Sequence, residues 1–209
     1  MGLIRDLHAM QASPVKAFHD DQALQAYVLG LVQRYGIRTF IETGTFRGDT
    51  LAWFAERNPH VECYSCETNS LYFRTARFRT ALRSNVHIKQ IDSRVFLEEV
   101  HSVADSPVLL WLDAHWGNDH PLPGELDVLN LLYRKWIALI DDFQIPERPG
   151  FGFDSYWDRP INLEYISPHL PKEREVWLPD YDPPKDSRGV CAIFRGLSGV
   201  PNASFRRVE

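Results

Sequence analysis

Two stretches of the chain, Val108-Leu109-Leu110-Trp111-Leu112 and Ile137-Ala138-Leu139-Ile140, are apolar at every position, and each runs directly into aspartate. A strand with one wet face alternates apolar and polar residues, whereas an unbroken apolar run belongs to a strand covered on both faces. Such strands need helices above and below them, and the rest of the chain supplies these by switching period. Residues 14–35 read as an amphipathic helix closed by Gly36, 37–41 as a strand, and the residues from Leu51 onward as a helix capped by Asp49 or Thr50. Strand patterns at 61–67 and 86–92 alternate with helical patterns at 69–83, 95–103 and 124–134. Strand 137–142 follows, and runs at 175–178 and 190–194 close the series. This alternation predicts an α/β sheet and excludes a helical bundle or a sandwich.

With 209 residues, 44% of them hydrophobic, the chain can bury one core but not two of ordinary size, so a single domain over 1–209 is expected. Residues 1–36 form a helical N-terminal extension in this reading. The proline- and glycine-containing stretch from 145, with Phe151, Phe153, Tyr156 and Trp157, is too long for a simple connection. Residues 145–186 are therefore expected to be a lid or acceptor region, its aromatic faces either stacking on a ligand or packing the loop. A net charge of −5 argues against a nucleic acid or an anionic membrane as partner. Three cysteines, Cys63, Cys66 and Cys191, make a disulfide framework improbable. Cys63 and Cys66 lie in one strand on opposite faces, as buried small hydrophobes. With no secretory pattern and no long apolar run, a cytoplasmic location is expected.

Ligands of such sheets bind outside the carboxyl ends of the strands. The residues there are Glu42, Glu67, Asp92, Asp113 and the pair Asp141-Asp142, all acids. Any one of them could be a helix cap or turn residue. Together they form a ring of acceptors, suited to a ligand rich in hydroxyl and amino donors and hostile to a polyphosphate. The turn after the first strand, Glu42-Thr43-Gly44-Thr45-Phe46-Arg47-Gly48, separates the cofactor classes further. It lacks the lysine of a P-loop. It carries Phe46 where a dinucleotide site needs a small residue. S-adenosylmethionine has no phosphate, so an open turn at Gly44, close packing at Gly48 and a ribose acceptor at Glu67 suffice.

That turn resembles the first motif of class I S-adenosylmethionine-dependent methyltransferases. It is similar in particular to the metal-dependent macrocin-type O-methyltransferases, whose turn reads Glu-Thr-Gly followed by Arg-Gly. The resemblance implies a Rossmann-like doubly wound seven-stranded sheet over about residues 38–195, mostly parallel with an antiparallel last strand and helices on both faces. It implies cofactor contacts from Glu42, Thr43, Gly44, Thr45 and Gly48, with Glu67 on the ribose and Asp92 and Ser93 at the adenine. Residues 146–186 match nothing in the family.

If the two apolar strands are neighbours, about 4.8 Å apart, Asp113, Asp141 and Asp142 can share one cation. Hard oxygen ligands suit Mg²⁺ or Mn²⁺, and the resemblance agrees, since the family places acids at these strand ends. The competing reading is that Asp141-Asp142 merely ends a strand. A cation would ease deprotonation of an alcohol, and His115, with an ordinary pKa of about 6.5, is the candidate general base beside Asp113. His120 is the reserve, with a structural role the alternative for either. The expected activity is O-methylation of a small hydroxylated acceptor such as a sugar or glycosylated metabolite, with a homo-oligomer compatible. Two rivals are a non-catalytic adenosyl-binding protein and a manganese hydrolase. Asp113-Ala114-His115 suits the second, but Gly117 stands where a further metal-binding aspartate belongs.

Overall fold

The computed structural model describes residues 16–115, 119–199 and 204–209. Helix α1 (Gln22–Tyr35) precedes β1 (Thr39–Thr43), α2 (Asp49–Arg57), β2 (Glu62–Cys66), α3 (Ser70–Arg79), β3 (Val86–Lys89), α4 (Ser93–Val100) and β4 (Val108–Leu112). Then come α5 (Leu122–Leu132), β5 (Trp136–Ile140), the two short strands β6 (Ser155–Tyr156) and β7 (Arg159–Pro160), α6 (Leu163–Ile166), β8 (Glu175–Pro179), β9 (Cys191–Arg195) and β10 (Phe205–Arg207). The main sheet runs in the order β10-β8-β9-β5-β4-β1-β2-β3. Its first five strands are parallel, and β9 inserts antiparallel between β5 and β8. The expected seven-stranded sheet is therefore present, extended at one edge by β10, which pairs antiparallel with β8.

The alternation of side chains along each strand divides the core into two layers. Val108, Leu110 and Leu112 of β4, with Trp136, Ala138 and Ile140 of β5, pack on one side with α4 and α5. Leu109, Trp111, Ile137 and Leu139 pack on the other with α1 and α2. Every residue of β4 and β5 is buried, as the unbroken apolar runs require. Cys66 falls in the first layer and Cys63 in the second, both buried thiols.

Local chemistry moved two element boundaries. The first helix starts at Gln22 and not near Pro14, because the Asp21 carboxylate accepts the Leu24 N–H at 3.0 Å and caps it there. Ahead of it, Phe18, His19 and Asp20 form a tight turn with φ of 50°, 59° and 60°. At α2 the cap is Gly48, with φ 76°, and neither Asp49 nor Thr50. A Cβ on Gly48 would lie 3.1 Å from both Cα and Cβ of Ala76, so this glycine lets α2 approach α3. Asp49 is instead the first helical residue, bound by Arg79 and, at 3.2 Å, by Arg47.

Residues 1–15 of the N-terminal extension, and Trp116, Gly117 and Asn118 after His115, lie outside the described residues. Among the described residues no helix is long and apolar enough to cross a membrane.

Candidate active site

At the carboxyl ends of β1 to β5 opens a cleft of about 570 Å³. Its floor is the turn after β1. Gly44 has φ 79°, and a Cβ there would lie 2.4 Å from the carbonyl oxygen of Asp113. Only glycine lets this turn rest on the end of β4. The N–H groups of Gly44 and Thr45 donate to the Cys66 carbonyl at 3.1 and 3.0 Å, which ties the turn to β2. Glu67, one residue beyond β2, accepts from the backbone N–H of Phe46 and of Asn69, each at 2.8 Å. Both carboxylate oxygens are thereby oriented at the cleft wall. The far wall is Ile91-Asp92-Ser93. Asp92 caps α4 through the Arg94 N–H and pairs with the Arg94 guanidinium at 2.7 Å, which holds its carboxyl below the usual range.

The sequence-predicted cofactor residues divide into two sets. Gly44, Glu67, Asp92 and Ser93 line the cleft. Glu42, Thr43, Thr45 and Gly48 stand behind it. Glu42 is buried and accepts from the Ser65 hydroxyl at 2.7 Å, and burial pushes its carboxyl well above the normal value. Thr45 bonds Ser65 at 2.5 Å and the Cys66 carbonyl at 2.9 Å. These residues brace the turn and do not line the cleft. Phe46, Thr68, Tyr72 and Ile91, which sequence reasoning did not assign, do face the cleft. Phe46 takes a left-handed conformation and packs on Tyr72 at 4.4 Å. Its place in the glycine turn was the available signal, since a bulky residue there disfavours the close approach of a pyrophosphate.

The same cleft continues over the ends of β4 and β5. The parallel register pairs Leu112 with Ile140, so Asp113 and Asp141 follow side by side, and the Asp141 N–H donates to the Leu112 carbonyl at 3.1 Å. Asp142 turns left-handed at φ 56°, which aspartate tolerates better than most residues, and its N–H donates to Asp141 Oδ1 at 2.8 Å. All three predicted metal carboxylates line the cleft. Three cationic partners reach them. His19 Nε2 lies 2.7 and 2.9 Å from the two oxygens of Asp141. Arg188 bonds Asp142 and Asp154. His115 Nε2 lies 3.3 Å from Asp142 and 3.6 Å from Asp113.

Burial and the neighbouring Asp141 push Asp113 up to about 7, although 29% of its side chain is open to the cleft. Asp142 falls to about 2, because hydrogen bonds from His115 and Arg188 outweigh its burial. Bonds to Asp113 and Asp142 raise His115 to about 10. For His19, burial alone would lower the pKa, but Asp141 raises it to about 9. The carboxylates beside His115 thus hold it towards its imidazolium form.

His120 lies beyond the cleft. It stacks on Tyr156 at 4.0 Å and bonds the Tyr165 hydroxyl at 2.9 Å, and burial lowers it to about 4. It is a packed neutral side chain. His120→Ala should lower stability by about 1–3 kcal/mol while leaving kcat within a factor of two. Denaturant melts and initial rates check this.

Glu125 of α5 is 1% exposed, with the Ser93 and Thr43 hydroxyls beside it but neither oxygen in hydrogen-bonding geometry. Burial raises it from 4.5 to about 7. The folded state then keeps a proton that the unfolded chain has lost. Its stabilising share is complete below pH 4.5 and is lost as pH rises through 7. Glu125→Gln should remove on the order of 3 kcal/mol of that decline, seen as a smaller difference between urea melts at pH 5 and pH 8.

No protein-family model matches the sequence, and no curated protein matches it. Solved structures do match. An O-methyltransferase from Bacillus cereus in complex with SAH (S-adenosylhomocysteine) superposes with a TM-score of 0.62 at 14% identity, over 93% of this chain and 91% of that one. A candidate O-methyltransferase from Klebsiella pneumoniae gives 0.60 at 17% identity, over 94% and 89%. A candidate caffeoyl-CoA O-methyltransferase from Staphylococcus aureus gives 0.56 at 13% identity, over 93% and 98%. The chain has the Rossmann-like α/β fold, with a mostly parallel sheet, that these proteins share.

Proposed function

We propose that this protein is an S-adenosylmethionine-dependent O-methyltransferase acting on a small hydroxylated acceptor, with a divalent cation at Asp113, Asp141 and Asp142. The observation that carries this reading is that one cleft joins Gly44 and Glu67 to the carboxylate cluster. The residues fit an adenosyl cofactor. Glu67 is held by two backbone donors with lone pairs left for ribose hydroxyls, and Phe46, Tyr72 and Ile91 supply apolar surface. They fit a hard cation as well. Asp113, His115 and Asp142 form one compact group of ligand atoms, and His19, Asp141 and Asp142 another, with atoms in each group within 4.8 Å of one another.

A cation bound there would lower the cost of removing the acceptor hydroxyl's proton. The chain's own residues do the remainder. Arg188 pins Asp142 and Asp154 and so fixes the direction of the carboxylates. His115, whose Nε2 lies 3.3 Å from Asp142 and 3.6 Å from Asp113, is the side chain that would take the hydroxyl proton. Glu67 and the turn hold the donor so that the acceptor oxygen can approach in line. A sugar or glycosylated metabolite remains the proposed acceptor. The stretch from 145 to 186 borders this end of the cleft through Asp154 and Asp186.

Calorimetry with SAH tests the cofactor half. Wild type should bind and be stabilised by it, and Glu67→Gln should weaken binding by about 10- to 100-fold and, because an amide nitrogen cannot accept from one of the two backbone donors, lower the melting temperature by a few degrees. Failure of wild type to bind SAH overturns the reading. Binding without turnover, over a panel of polyhydroxylated acceptors with added metal, would favour the non-catalytic alternative.

A further inference from the structure

We propose that His19, from the turn before α1, is a protein ligand of the cation, and that its nitrogen shifts the site's preference from Mg²⁺ towards Mn²⁺, Co²⁺ or Zn²⁺. This rests on the reading of the carboxylate cluster as a metal centre. Two ligand atoms at about 2.1 Å from one ion, at right angles, are about 3.0 Å apart. His19 Nε2 stands 2.7 and 2.9 Å from the Asp141 oxygens, close to that separation, with an Asp142 oxygen in the same group.

The turn that carries the imidazole is anchored on both sides. Phe18 is 1% exposed and packs edge-on against Trp111 and Trp53, with centroids 4.8 and 5.5 Å away. Asp21 caps α1 with one oxygen, while its other accepts from the Tyr181 and Ser187 hydroxyls at 2.8 and 2.9 Å. Between these anchors the left-handed turn leaves His19 facing the cleft, with 28% of its side chain exposed. A surface histidine that merely neutralised Asp141 would need no such bracing. Carboxylates and water alone suit Mg²⁺, whereas an imidazole adds affinity for borderline ions.

The test uses the full chain without cofactor, titrated with CoCl₂ and with MgCl₂, and loaded with Mn²⁺ for pulsed electron paramagnetic resonance. Wild type should prefer Co²⁺ and show nitrogen coupling to Mn²⁺. In His19→Gln, Co²⁺ affinity should fall by about 10- to 100-fold, Mg²⁺ affinity should change by less than about threefold, and the nitrogen coupling should diminish. His115→Gln should keep the coupling from His19. Melting curves and SAH binding show that each variant is folded. Nitrogen coupling and a Co²⁺ to Mg²⁺ ratio unchanged in His19→Gln would overturn the assignment of His19 alone. Wild type that binds none of these ions would overturn both it and the metal centre.

Discussion

Asp141→Ala should lose methyl transfer by about 10²- to 10⁴-fold at saturating cofactor, the equivalent of several kcal/mol of charge stabilisation, while SAH affinity stays within about threefold. The two halves of the cleft are separable because Asp141 touches none of the turn that holds Glu67. Its own contacts are with His19, with the Asp142 N–H and, through its backbone, with β4. Truncation would remove a proposed ligand and strip His19 of its partner, so metal affinity should fall in parallel with rate. Transfer of a labelled methyl group, measured beside calorimetry with SAH and with metal, checks both. Wild-type turnover in this variant would sink the metal-assisted mechanism.

Gly44→Ala should damage fold and cofactor binding together. A Cβ at this position meets the Asp113 carbonyl oxygen at 2.4 Å, its carbon at 2.8 Å and Ala114 Cα at 2.9 Å, all backbone atoms that no rotamer change can move. The left-handed φ of 79° adds a cost of about 1 kcal/mol for any residue with a Cβ. A total near 3 kcal/mol lowers the melting temperature by about 6–12 °C. The turn shifts away from β4 as it relaxes, so SAH affinity should drop by about tenfold or more. Gly30→Ala is the control. It lies inside α1 with nothing within 4 Å of its new Cβ, and should be neutral or stabilising by about 0.5–1 kcal/mol. Equal melting temperatures for the two variants would refute the packing argument.

Legibility followed range. The strands at 108–112 and 136–140 announced their burial because a two-sided environment leaves an unbroken apolar run. The helix boundaries at Gln22 and Asp49 were displaced because single caps, Asp21 and Gly48, compete with pattern. Asp113 and the Asp141-Asp142 pair could be placed at the cleft because they follow the ends of β4 and β5, where chain position fixes spatial position. Glu42 and Thr45 carried the same motif signal as Gly44, yet they face the interior and Ser65. A motif records which residues a turn requires and not which of them a ligand touches.

His19, Asp154 and Arg188 belonged to no motif. His19 is 122 residues from Asp141, and Arg188 is 46 from Asp142. No periodicity spans such separations, and only the folding of the N-terminal turn and the loop before β9 onto the sheet edge brings them together. The sequence by itself determined the alternating architecture, the glycine turn and the row of strand-end acids, because hydrophobic period and backbone conformation are local properties. The tertiary structure alone decided the company that His115 and Asp141 keep, because electrostatics and coordination depend on which distant side chains meet within a few ångströms.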